Sequence, residues 1–119
     1  MITPDISVII PVKDAGAILE ECLRAVKSNW GVSYEIIVVN DCSVDNSSDI
    51  ACKHSCYVIN LPQTLGPAFA RNIAAGAAHG CILFFIDADV IIFPDTLQKI
   101  NAIFRDPTIM AISGIQSEA

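Results

Sequence analysis

The sequence predicts a three-layer α/β/α domain on a mainly parallel sheet, and three observations carry that expectation. Short apolar runs rich in β-branched residues alternate with segments of helical period along the whole chain, the pattern of strand–helix–strand crossovers. The strand runs are apolar at consecutive positions, as a sheet covered on both faces requires. The 119 residues suffice for one domain with a real core and leave little room for a second.

The elements follow in order. "DISVIIPV" (5–12) reads as the first strand, and residues 15–30 as a helix with Ile18, Leu19, Cys22, Leu23 and Val26 on one face. "YEIIVVN" (34–40) is a second buried strand, entering a polar stretch where Ser43 or Asp45 can cap the next helix. "CYVIN" (56–60) is a third, shorter strand expected near an edge. After the loop "LPQTLG", Pro67 suits the first position of a helix running to His79, with Gly80 as its stop. Alanines and Gly76 in that helix read as close-packing positions, and His54 and His79 as helix-end residues. Residues 81–87 form a fourth strand, 94–104 a helix, and 108–115 a fifth strand.

Composition narrows the function classes. Hydrophobic residues make up 53% of the chain and the mean hydropathy is +0.53. Either both sheet faces are covered or apolar surface is left for a partner, including another copy of the chain. No apolar run approaches the roughly 18–20 residues of a membrane span, and no leader pattern opens the sequence. A cytoplasmic location is therefore expected, with any membrane association arising elsewhere. The net charge of −6 without a Lys/Arg cluster argues against nucleic acid as a partner. Five cysteines without a CxxC pair read as buried free thiols in a reducing compartment, not a disulfide framework. "CKHSC" (52–56) lacks a fourth nearby ligand and the spacing of a zinc site.

In open α/β sheets ligands bind outside the carboxyl ends of the strands. Lys13 and Asp14 follow strand one, Asn40 and Asp41 strand two, and Asp87 and Asp89 strand four, so all are expected on one edge. Burying a carboxylate costs several kcal/mol unless it is paired or bound to a cation. The acids in "LFFIDADVII" (83–92) suit a hard cation, Mg²⁺ or Mn²⁺, which takes its remaining ligands from water and phosphate. Arg71, early in the helix from Pro67, can reach the same edge and pair with phosphate or Asp87. Asp41 can equally cap a helix.

The order "SVIIPVKDAG" (7–16), "EIIVVNDCSVDNS" (35–47), "GPAFARNIAAGAAHG" (66–80) and "LFFIDADVII" resembles the nucleotide-binding half of a family 2 glycosyltransferase of GT-A fold. The resemblance covers nearly the whole chain and implies a truncated GT-A (nucleotide-diphospho-sugar transferase) sheet. It implies that residues 1–119 form one nucleotide-sugar-binding domain, the N-terminal part of a longer transferase. Pro11, Val12 and Asp14 would then line the nucleotide, and Asp41 would bind the base. Arg71 would contact base or diphosphate. Asp87-Ala88-Asp89 matches the DxD motif, with Asp87 towards ribose and metal and Asp89 on the metal. The donor would be a nucleotide-diphosphate sugar, the acceptor an unknown saccharide or lipid, and transfer would invert the sugar. The general base would lie outside this chain.

The match has departures. Lys13 and Asp14 stand where the family often has Tyr-Asn, Asn40 replaces a frequent aspartate, and Val90 replaces a third acid. Two other classes remain open. One is a non-catalytic nucleotide-binding or interaction module. The other is a phosphohydrolase of the haloacid dehalogenase type, which resembles this chain only at DxD and carries that motif on its first strand.

Overall fold

A computed structural model describes residues 3–114. Eight elements follow one another: β1 (Ile6–Val12), α1 (Gly16–Lys27), β2 (Tyr34–Asn40), α2 (Ser47–Lys53), β3 (Tyr57–Asn60), α3 (Pro67–Ala77), β4 (Ile82–Phe85) and α4 (Thr96–Ile103). The four strands form one sheet in the order β3-β2-β1-β4, and every pairing is parallel. From β1 the chain winds outward through β2 to β3, then returns to place β4 on the other side of β1, with Ile6 opposite Ile82. The winding direction reverses between β1 and β4, which makes the carboxyl ends of those strands the expected ligand site.

Continuous apolar runs are explained by burial on both faces. Val8, Ile10, Val12, Ile36 and Val38 face α1, α2 and α4, against Leu19, Leu23, Ala51 and Leu97. Ile9, Ile37 and Val39 face α3 through Ala70 and Ala74. Alanine at those two positions lets α3 lie close to the sheet, whereas Gly76 is exposed and a Cβ there would meet nothing within 4 Å. Close packing on α3 therefore falls to the alanines, not to Gly76. Apolar surface also remains open: Leu83, Phe85, Ile91, Phe93 and Met110 are all exposed. Both explanations for the high hydropathy apply.

The third strand lies at the sheet edge, as its brevity suggested. The expected fifth strand does not form over 108–114, which carry no strand pairing, and residue 115 lies outside the described residues. Strand four ends at Phe85; Ile86 still donates to the Ile9 carbonyl (3.0 Å), but a turn closes next, with Val90 N donating to Asp87 O (3.1 Å). Beyond it Val90 and Ile92 pack on the core while Ile91 and Phe93 face outward. Neither Ser43 nor Asp45 is the N-cap of α2. Asn46 holds that position, and Asp45 Oδ1 accepts the Ser47 N–H (3.0 Å) from one residue earlier. The thiols are all free, but only Cys22 is fully buried.

The α3 helix stops at Ala77 because a carboxylate outside it captures the chain. Glu35 on β2 accepts the His79 N–H (2.6 Å) and lies 3.1 Å from His79 Nδ1, while Ser7 Oγ donates to it (2.5 Å). Gly80 N in turn donates to Ser7 Oγ (2.8 Å). Gly80 is thus a point of close approach to β1, not a helix stop. His54 is the C-cap of α2 as expected, and its Nε2 lies 3.1 Å from Glu20 Oε2 but out of line for a hydrogen bond.

Burial opposes ionisation of Glu35, but the hydrogen bonds from Ser7 and His79 outweigh it, so its carboxyl titrates below the usual range. A lowered folded-state pKa stabilises above the unfolded value, about 4.3 for Glu, and that contribution is lost as pH falls through the folded value. Glu35→Gln should therefore flatten the acid limb of the stability curve. Urea midpoints compared between about pH 3 and pH 7 check this; parallel curves for the two proteins would refute it.

Candidate functional site

Each strand of the sheet ends in a loop at the carboxyl edge, and side chains stitch these loops together. The β1–α1 loop grips the β2–α2 loop: Val44 N donates to Asp14 Oδ1 (2.7 Å), Asp14 N to Ser43 Oγ (2.9 Å), and Lys13 Nζ to the Cys42 carbonyl (2.9 Å). The buried Ser47 Oγ accepts from Ala15 N and Gly16 N, both at 3.2 Å. These bonds hold Asp14 (φ 51°) and Cys42 (φ 59°) in the left-handed region, which non-glycine residues enter only under constraint.

The β2–α2 loop grips the β3–α3 loop through Asp41, which is only 4% exposed. Its Oδ1 accepts the Leu65 N–H (2.7 Å) and its Oδ2 the Gly66 N–H (2.9 Å). Beside it Asn40 Nδ2 donates to Asn60 Oδ1 (2.9 Å), joining β2 to β3. The last link is an ion pair, Arg71 Nη2 to Asp87 Oδ1 at 3.1 Å, between α3 and the turn after β4. Asp89 is exposed on that turn. Burial first, and then the charge of Asp89, push the Cys22 thiol up to about 12, so Cys22 stays protonated beneath the acids.

Pro11, Val12, Lys13, Asp41, Pro67 and Asp87 line one pocket of about 160 Å³ at this edge. A larger hollow of about 380 Å³ lies at the opposite edge, lined by Lys27, Tyr34, Glu35, Ile36, His54, Ser55 and Tyr57. The smaller pocket is the better candidate, because it sits where the sheet reverses direction and is lined by Asp41 and by Asp87, the ion-pair partner of Arg71.

Of the residues expected from the sequence, Pro11, Val12, Asp41 and Asp87 meet in this pocket, and Arg71 joins them through Asp87. Asp14 does not line it; its carboxylate is taken up in holding the neighbouring loop. Ala88 packs against the core and separates the two acids. The sequence reading missed the Pro67 wall and the backbone donors of Leu65 and Gly66. The Gly-Pro pair was their signal, since Gly66 has φ 90° at the N-cap of α3.

Among the described residues no three His, Cys, Asp or Glu side chains form a metal cluster. Two exposed carboxylates on one turn nevertheless fit a hard cation that draws most of its ligands from water and a bound anion. Arg71 supplies a positive charge beside them, so an anionic ligand would meet compensating charge as well.

The family model described as Glycosyl transferase family 2 matches residues 7–118. The chain belongs to that family. As a family 2 member it is 34% identical over 105 residues to the uncharacterized glycosyltransferase YibD of Escherichia coli, covering 82% of this chain and 30% of YibD. Its fold matches the mannosyltransferase PcManGT of Pyrobaculum calidifontis in complex with GDP-Man and Mn²⁺ (TM-score 0.85, 25% identity, 98% of this chain and 37% of that one). It also matches TarS 1–349 of S. aureus in complex with UDP-GlcNAc (TM-score 0.81, 28% identity, 86% of this chain and 31% of that one). The architecture is the GT-A fold expected from the motif order. This family 2 chain spans about a third of the length of these relatives.

Proposed function

We propose that residues 1–119 form the donor-binding part of an inverting glycosyltransferase that holds a nucleotide-diphosphate sugar through a divalent cation. The observation that carries this reading is the Arg71–Asp87 pair, set beside Asp89 at the reversal point of the sheet and at the mouth of the Asp41 pocket. Pro11 and Val12 would offer backbone to the nucleotide, with Asp14 bracing the loop that follows them. Asp41 would meet the base, Arg71 the diphosphate, and Asp87 with Ala88 the ribose. Asp87 and Asp89 would hold Mg²⁺ or Mn²⁺, whose chemistry when bound is to stabilise the departing diphosphate as a Lewis acid. The Mn²⁺ bound to PcManGT supports a divalent metal, and the ligands of PcManGT and TarS support a nucleotide-sugar donor.

A pocket of about 160 Å³ is small beside the roughly 300–1,000 Å³ of ordinary ligand sites. Further walls, the saccharide or lipid acceptor site and the general base are assigned to no residue of this chain. Exposed Leu83 and Phe85 on the edge strand β4 would suit a second copy of the chain. No helix among the described residues is long and apolar enough to cross a membrane, and a cytoplasmic location is part of this reading. A dehalogenase-type phosphohydrolase is disfavoured, because the DxD motif follows the fourth strand, not the first.

Calorimetric titration with uridine and guanosine diphosphates, with and without Mn²⁺, tests the proposal. At least one should bind in a metal-dependent manner. Absence of metal-dependent binding of either would leave the non-catalytic interaction module as the better reading.

A further inference from the structure

We infer that Asp41 is a positioning residue for Arg71, setting the diphosphate end of the site through the β3–α3 loop. The inference rests on the donor-site reading and adds to Asp41 a role separate from any contact with a base.

Asp41 is nearly buried, so its carboxylate is retained at a cost that its partners must offset. Those partners are the Leu65 and Gly66 N–H groups, one on each oxygen, immediately before the first turn of α3. Its main chain is fixed as well, since Asp41 N donates to the Val12 carbonyl at 2.8 Å. The start of α3 is thereby tied to the ends of β1 and β2. Gly66 accepts the first helical bond from Ala70 N (3.1 Å), and Arg71 is the next residue. From there its guanidinium reaches Asp87 at 3.1 Å.

The middle of α3 is held independently by Ala70 and Ala74 against the sheet. Loss of the Asp41 anchor should therefore slacken the loop and, through the bond from Ala70 N to Gly66, tilt the start of the helix that carries Arg71, without undocking it from the sheet. A guanidinium held, among the described residues, by one exposed ion pair would then lose its aim, because such a pair alone fixes a long side chain weakly.

Inorganic diphosphate with Mn²⁺ is the informative probe, because it has no base for Asp41 to read. Asp41→Asn keeps one acceptor oxygen but turns an NH₂ towards a backbone N–H. It should weaken diphosphate binding about tenfold, as should Arg71→Ala, and the double variant should bind no worse than Arg71→Ala alone. Gly66→Ala strains the same anchor at φ 90°, where a Cβ meets nothing within 4 Å, and should weaken diphosphate binding in the same direction. It carries the test should Asp41→Asn fail to fold. Unchanged diphosphate binding in Asp41→Asn, or losses that multiply independently with Arg71→Ala, would overturn the inference. Wild-type protein that binds no diphosphate with Mn²⁺ would overturn the donor-site reading itself, and this inference with it.

Discussion

Asp89→Ala should weaken Mn²⁺-dependent binding of a nucleoside diphosphate by roughly 100-fold or more, since even supporting partners of a metal site are worth about 10–100-fold. On the proposed reading the cation would take two carboxylates from this chain, and Asp89 is the one outside the ion pair with Arg71. Removing it leaves an acid already partly neutralised by a guanidinium. The fold should be unaffected, because Asp89 is exposed and surface substitutions usually change stability by less than about 0.5 kcal/mol. Asp87→Ala should behave differently: it also frees Arg71, so residual nucleotide binding should depend less on metal. Titrations of both variants, alongside thermal melts, check this. An Asp89→Ala protein that binds as the wild type does would mean the acid is a solvated turn residue.

The second large effect concerns stability. A Cβ added at Gly80 would lie 2.5 Å from Ser7 N and 2.7 Å from the Ile6 carbonyl carbon, both backbone atoms of the central strand. Nothing there can rotate away, so β4 must shift from β1. Gly80→Ala should cost about 1–3 kcal/mol, the range for overpacking, and lower Tm by the order of 10 °C. Gly76→Ala is the control: its Cβ would meet nothing within 4 Å, and alanine is the better helix former, so stability should stay level or rise by up to about 1 kcal/mol. Thermal melts of the pair decide the matter. Equal melting temperatures would mean that the approach of Gly80 to β1 is not tight.

Periodicity made most of the architecture legible. Consecutive apolar residues in β1 and β2 announced a sheet buried on both sides, and the alternation with helices announced parallel strands. The edge carrying Asp41 and Asp87 followed from the rule on strand ends. Misjudgements arose where a distant side chain overrides local pattern. The end of α3 is decided by Glu35, which takes the His79 N–H from across the sheet, and no local signal marks that contact. "TIMAISGI" has strand composition but no strand pairing over 108–114, since composition names a candidate and pairing needs a neighbour. Asp14 lies beside the expected ligand edge, yet its carboxylate accepts from Val44 N, thirty residues away, a contact with no local signature in the sequence.

The pairing of β1 with β4 also bears on how the chain becomes competent. β1, β2 and β3 pair in sequence order, each across a short crossover, whereas Ile6 meets Ile82 only after β2, β3 and three helices have intervened. Closing the longest loop has the largest entropic cost, and such contacts form slowly. Asp87 and Asp89 follow that last strand, so the loop contacts of Asp41 can form before the acids arrive. Recovery of metal-dependent ligand binding during refolding should accordingly lag the recovery of helical signal, making the ligand a reporter of completed topology.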